Sequence, residues 1–102
     1  MRLWRRLAPV SRPRVERIAP NPTPGQAVIS FAVPARGHVS LAVLDVRGRL
    51  VRRVHEGFLD RGWHAGSWDG RDGSGRSLPS GVYFLRLEAR EGSATRKLVL
   101  IR

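Results

Sequence analysis

The 102-residue sequence predicts an all-β fold, a seven-stranded antiparallel sandwich of the immunoglobulin-like (fibronectin III-like) kind. Three observations carry the prediction. Apolar and polar residues alternate over short runs. Turn residues separate the runs at roughly 8–12-residue intervals. No segment keeps a 3.6-residue apolar period for the length a stable helix needs. A chain this size forms one domain at most and buries roughly 60–65% of its unfolded surface, enough for one two-layer core but not for a deep substrate cleft as well. Hydrophobic content of 41% argues against global disorder.

Residues 1–14 are rich in Arg and Pro without periodicity and read as a basic, disordered tail or linker ahead of a domain spanning 15–102. They have the positive start of a signal peptide but no apolar stretch behind it. An amphipathic anchor on Leu3, Trp4 and Leu7 would end within three turns, at Pro9, so the linker reading is preferred. "VERIA" (Val15 to Ala19) is an edge strand in which Val15 and Ile18 are out of phase, stopped by "PNPTPG". "AVISFAV" puts Ala27, Ile29, Phe31 and Val33 on one face, and Pro34 to Gly37 turn the chain. "HVSLAVLDV" sends Val39, Leu41 and Val43 inward and Ser40 and Ala42 outward. Arg47-Gly48 make a hairpin turn into "RLVRRV", which ends near Gly57. "GWHAGSW" sets Trp63 and Trp68 on opposite faces. "GVYFLRLEA" alternates Tyr83, Leu85, Leu87 and Ala89 against Val82, Phe84, Arg86 and Glu88. "EGS" then turns into "ATRKLVLIR", where Leu98 and Leu100 alternate with Val99 and Ile101.

Nineteen basic residues against eight acidic ones give a net charge of +11, and every basic residue except Lys97 is an arginine. Such a charge attracts phosphate backbones, anionic lipid or acidic polysaccharide. The arginines nevertheless fall on scattered outward strand positions, and Arg, Gly, Ala and Pro are enriched together, as GC-rich coding produces; no specific nucleic-acid partner is expected. The absence of cysteine excludes disulfides, thiolate metal sites and a thiol nucleophile. No stretch reaches the ~18–20 apolar residues of a spanning helix.

Catalytic patterns are lacking. His38, His55 and His64 are read at strand starts or ends, without ligand spacing, and no serine sits in a nucleophile-elbow context. Asp69 and Asp72 are a close pair of acids in the glycine-rich segment "WDGRDGSG", and are the candidate metal ligands. Calcium needs 6–8 oxygens, yet Arg71 stands between the acids and no bidentate Glu follows. The same residues are explained by Asp side chains accepting from their own loop's N–H groups and glycines supplying positive φ, so the loop reads as a connection and no cofactor is expected. Trp68 and Tyr83 read as core; Trp63 and Phe84 are the candidate surface-binding aromatics.

Several motifs in combination resemble the FlgD-like immunoglobulin-type domain, and the C-terminal sorting domain of proteins exported by the type IX (Por) secretion system. They are Pro20-Asn21-Pro22, Asp45 with Gly48-Arg49, Trp68-Asp69-Gly70 with Asp72 and Gly75, Ser80-Gly81-Val82-Tyr83-Phe84, and Lys97 followed by Leu98-Val99-Leu100. The resemblance covers about residues 15–102. It implies a non-catalytic sandwich: in the sorting group an address read by outer-membrane secretion machinery, in the flagellar group part of the scaffold that caps the growing hook. Carried over, Gly81, Tyr83, Gly92, Lys97, Leu98, Val99 and Leu100 are the expected sorting positions. Asn21, Asp45, Gly48, Trp68, Asp69, Gly70, Asp72 and Gly75 are the expected structural motif. Thr23 stands where an aromatic commonly follows Pro-Asn-Pro. With neither passenger nor hook-contacting region present, the resemblance implies a piece of a longer protein, secreted or at the cell surface after passage through the periplasm. Its partners are then the secretion machinery or neighbouring domains. A structural scaffold module is the alternative, and binding of anionic polymers through the arginines a third.

Overall fold

A computed structural model describes residues 11–102; the expectations placed on residues 1–10, the tail and the Leu3/Trp4/Leu7 anchor among them, lie outside the described residues. Seven strands follow in order: β1 (Arg14–Ala19), β2 (Ala27–Val33), β3 (Gly37–Leu44), β4 (Leu50–Leu59), β5 (Gly62–Trp68), β6 (Gly81–Ala89) and β7 (Gly92–Leu100). They form a three-stranded sheet, β1-β2-β5, and a four-stranded sheet, β4-β3-β6-β7, antiparallel throughout. β1 lies beside β7 along one side of the sandwich and β4 beside β5 along the other.

The core sits between the sheets and follows the alternation. Ile29, Phe31 and Val33 from β2 meet Val39, Leu41 and Val43 from β3, with Leu85, Leu87, Leu98 and Leu100 from the β6–β7 hairpin; Trp68 closes one end. Each fully buried aliphatic or aromatic side chain of this kind contributes about 1.5–3 kcal/mol. Between the sheets, Gly66 on β5 makes room for Val54 of β4, since a Cβ there would lie 3.1 Å from Val54 Cγ1.

Two departures from strict alternation and two shifted strand boundaries follow from the pairing. In β1, Arg14, Val15, Arg17 and Ile18 pair with successive β2 residues while Glu16 is left over. That bulge re-phases the strand, so Val15 and Ile18 both face the core despite their odd spacing. β4 carries two such irregularities, at Val51 and Val54, and continues through Gly57 to Leu59 rather than stopping near Gly57. As a result His55 sits in the interior of a strand, not at its end. β7 begins at Gly92, two residues before "ATRKLVLIR", because Ala89 pairs directly with Gly92 around a two-residue turn. Gly92 has φ +142°, a backbone conformation that side-chain-bearing residues avoid. Finally, Pro13 is buried and β1 starts at Arg14, so the chain is engaged slightly before Val15.

Candidate functional site

The expected sorting residues gather on the β6–β7 hairpin, and two loops from elsewhere in the chain hold that hairpin in place. The first is residues 20–25. Asn21 Nδ2 donates to the Lys97 carbonyl (3.0 Å) and Asn21 Oδ1 accepts from Val99 N–H (3.0 Å). Thr23 N–H donates to the Val99 carbonyl and Ile101 N–H to the Thr23 carbonyl, both 2.8 Å. One carboxamide and one residue thus take the place of a neighbouring strand for positions 97, 99 and 101. Two of the three proline peptides here, Ala19-Pro20 and Asn21-Pro22, are cis. Thr23 is fully buried, and its hydroxyl donates to Gln26 O (2.7 Å) while accepting from Gly25 N–H (3.1 Å). The position where an aromatic was expected is therefore a buried polar anchor. Thr23→Val removes that hydroxyl at constant shape and leaves a donor and an acceptor unpaired, so a loss of about 1–3 kcal/mol is expected in chemical denaturation. An unchanged midpoint would refute the role.

The second loop is the glycine-rich connection between β5 and β6. Arg102 reaches into it: Nε donates to Leu78 O (2.7 Å), Nη2 to Gly70 O (2.6 Å), and the backbone N–H to Ser80 Oγ (2.8 Å). Gly70 has φ +75°, and a Cβ there would meet Arg102 Nη2 at 2.6 Å and Gly25 O at 3.0 Å. Only glycine fits where the two loops and the chain's final residue converge. Trp68 lies beneath, its Nε1 donating to Arg71 O (3.0 Å) and its ring edge-on to Tyr83 at 5.8 Å. The Tyr83 hydroxyl donates to Pro79 O (2.7 Å), and burial raises its pKa above the ordinary value.

Asp72 and Asp45 occupy two copies of one turn. In Asp45-Val46-Arg47-Gly48-Arg49, the Asp45 N–H donates to Arg49 O, Gly48 N–H donates to Asp45 O, and Oδ1 accepts from the N–H groups of Arg47 and Arg49. In Asp72-Gly73-Ser74-Gly75-Arg76, the same four bonds recur at Arg76, Gly75, Ser74 and Arg76. Ser74 Oγ adds a fifth, at 2.7 Å. Each closing arginine also lies against its aspartate's other oxygen, at 3.0 and 3.6 Å. The glycines Gly48 and Gly75 both have positive φ. The Asp-x-x-Gly-Arg recurrence is visible in the sequence itself, as DVRGR and DGSGR.

These bonds hold both carboxyls below the usual carboxylate pKa, Asp45 chiefly through the Arg49 N–H and Asp72 chiefly through the Ser74 hydroxyl. A carboxylate with a lowered folded-state pKa supplies stability above its unfolded pKa and loses it as pH falls through the folded one. Thermal melts should therefore show an acid decline beginning below roughly pH 5. That decline should be shallower in an Asp45→Asn/Asp72→Asn double variant; identical pH profiles would refute it.

The remaining expected residues are placed as follows. Asp69 Oδ1 accepts from Arg52 Nη1 (3.0 Å) and Arg71 N–H (3.1 Å), so the candidate metal pair is engaged by a guanidinium and by backbone donors. Among the described residues, no three His, Asp or Glu side chains cluster as metal ligands would. His38 Nε2 lies 2.8 Å from Glu56 on the neighbouring strand. Gly81 pairs with Leu100 at one end of the hairpin and Gly92 lies at the other. Tyr83, Leu98 and Leu100 are core; Lys97 and Val99 face outward. Trp63 and Phe84 are both half-buried, Trp63 beneath the Arg14 guanidinium at 5.2 Å. Part of the arginine excess is structural: Arg52, Arg71, Arg96 and Arg102 donate to backbone carbonyls. No helix among the described residues is long and apolar enough to cross a membrane.

Comparison with known proteins gives a consistent answer. The family described as "FlgD Ig-like domain" matches residues 21–93. The basal-body rod modification protein FlgD of Salmonella typhimurium is 35% identical over 54 residues, 53% of this chain but only 23% of that protein. Among solved structures, Pseudomonas aeruginosa FlgD superposes with a TM-score of 0.57 at 25% identity, covering 90% of this chain and 74% of that one. Two Porphyromonas gingivalis proteins share the fold. PorZ, an essential surface component of the type IX secretion system, has a TM-score of 0.59 at 24% identity, covering 86% of this chain and 11% of its own. Latent dimeric PorU has 0.66 at 19%, covering 87% and 9%.

Proposed function

The chain belongs to the FlgD Ig-like domain family, and from that premise we propose that it is a non-catalytic sorting and attachment module of a secreted or cell-surface bacterial protein. Outer-membrane secretion machinery of the type IX kind reads it. The observation that carries the reading is the β6–β7 hairpin, which presents Lys97 and Val99 outward while Asn21 and Thr23 fasten the edge of the same strand. In this reading Gly81, Gly92, Lys97 and Val99 are available to a partner. Tyr83, Leu98 and Leu100 contribute by keeping the hairpin in register.

The test fuses the chain to a fluorescent reporter carrying a Sec signal, in a type IX-competent bacterium and in a matched strain lacking the translocon. Translocon-dependent surface fluorescence, reduced by Lys97→Glu but not by Asp45→Asn, is the expected result. Reporter held in the periplasm of both strains would overturn it. The second reading, a scaffold module as in flagellar hook capping, is favoured by the 35% identity to FlgD and would then take its place.

A further inference from the structure

The outer face of the four-stranded sheet is apolar at one end. Its register aligns Leu50, Leu44, Phe84 and Lys97 in one row across all four strands, and Val82 beside Val99 in the next. Val46 follows β3 and Ile101 follows β7 at this same end. Leu50 (47% exposed), Val82 (37%), Val46 (69%) and Ile101 (55%) are four of the six exposed large hydrophobics among the described residues. They therefore form a group and not a scatter. Leu44 and Ala42 also face outward, yet are only 7% and 8% exposed, sheltered between their neighbours in the rows.

The border of this patch is cationic. Lys97 ends the Phe84 row, and Arg86 stands one row on, in line with Ala42 and Arg53. Arg53 is paired with Glu56, and Asp45 is occupied by Arg49. Arg86 and Lys97 have no ion pair among the described residues. We propose that this face docks a protein surface of complementary make-up, apolar at its centre and bordered by carboxylates. The charge pattern selects that occupant. A second copy would bring the same cation-bordered face, whose Asp45 is already engaged by Arg49, and so would offer Arg86 and Lys97 no carboxylate partner. A membrane-bound apolar face is seated ~5–10 Å deep in the headgroup region, whereas Phe84 and Val99 of this one are half-buried within the sheet. The inference shares with the proposed function the premise of an interaction module and the outward residues Lys97 and Val99, and it holds for a secreted or a scaffold setting.

The test is a random-peptide display library selected on the full chain, with no secretion step in the readout, so that failed sorting and failed docking are separate results. Enriched sequences should combine large apolar residues with Asp or Glu, and should lose affinity about tenfold or more on Val82→Ser/Val99→Ser. Lys97→Glu/Arg86→Glu should weaken them and favour basic sequences instead. If the first pair melts early, Val46→Ser/Ile101→Ser, at more exposed positions, replaces it. Absence of acidic-apolar binders, or binders indifferent to these variants, overturns the proposal. So would variant-sensitive cosedimentation with phosphatidylglycerol vesicles in place of peptide binding, or a wild-type dimer in sedimentation velocity that Val82→Ser/Val99→Ser dissociates.

Discussion

Removing residues 97–102 is expected to abolish the cooperative thermal transition. Leu98 and Leu100 are both fully buried, and truncating a core leucine to alanine alone costs about 2–5 kcal/mol. The deletion also strands the Asn21 carboxamide and the Thr23 backbone, whose partners lie at 97, 99 and 101. It further removes the guanidinium that ties Gly70 to Leu78. Against a total stability of about 5–15 kcal/mol for a small domain, those losses leave little or nothing. A circular-dichroism melt without a sigmoid is the predicted trace; a retained transition near the full-length midpoint would show that β7 is dispensable. A practical rule follows for any test of an address in this segment. Truncation would destroy the fold and the address together, so only outward substitutions such as Lys97→Glu are informative.

The largest single-residue effect is expected at Trp68. Its side chain is 1% exposed, packs edge-on against Tyr83, and bonds the Arg71 carbonyl through Nε1. Trp68→Ala should cost about 3–5 kcal/mol. In a domain of this size each kcal/mol moves the midpoint by about 4–8 °C, so a fall of more than about 12 °C is predicted. Trp68→Phe separates the contributions: it keeps most of the apolar contact and gives up the hydrogen bond, and should lose only about 1–2 kcal/mol. Equal losses for both variants would mean that the indole N–H, not the packing, holds the β5–β6 connection to the core.

The alternation of β2, β3 and β6 was legible because each of these strands turns one face to the core between the sheets with a period of two and no inserted residue. β1 and β4 were less so, since a bulge adds a residue that no period-two pattern contains. The mismatch between Val15 and Ile18 was its trace. The reading of the Asp/Gly segment as a connection matches its bonds: Asp72 and Asp69 accept from the loop's own N–H groups. Comparing "DVRGR" with "DGSGR" would have revealed the twin turns. The role of Asn21 was beyond sequence reasoning, because its partners lie 76 and 78 residues away and nothing local distinguishes a carboxamide that stands in for a strand. The docking face was hidden for a related reason. Leu50, Leu44, Phe84 and Val99 become neighbours only once the pairing register of four strands is known.

The fastening of β7 by the 20–25 loop also sets the order of events during synthesis. The core between the sheets lacks two of its leucines, and Asn21 and Thr23 lack their strand partners, until residues 97–102 have left whatever tunnel encloses them. Up to that moment the chain has β1 to β6 in hand but cannot complete the sandwich. Closure of the sandwich therefore waits on residues 97–102, whose two leucines complete the hydrophobic interior.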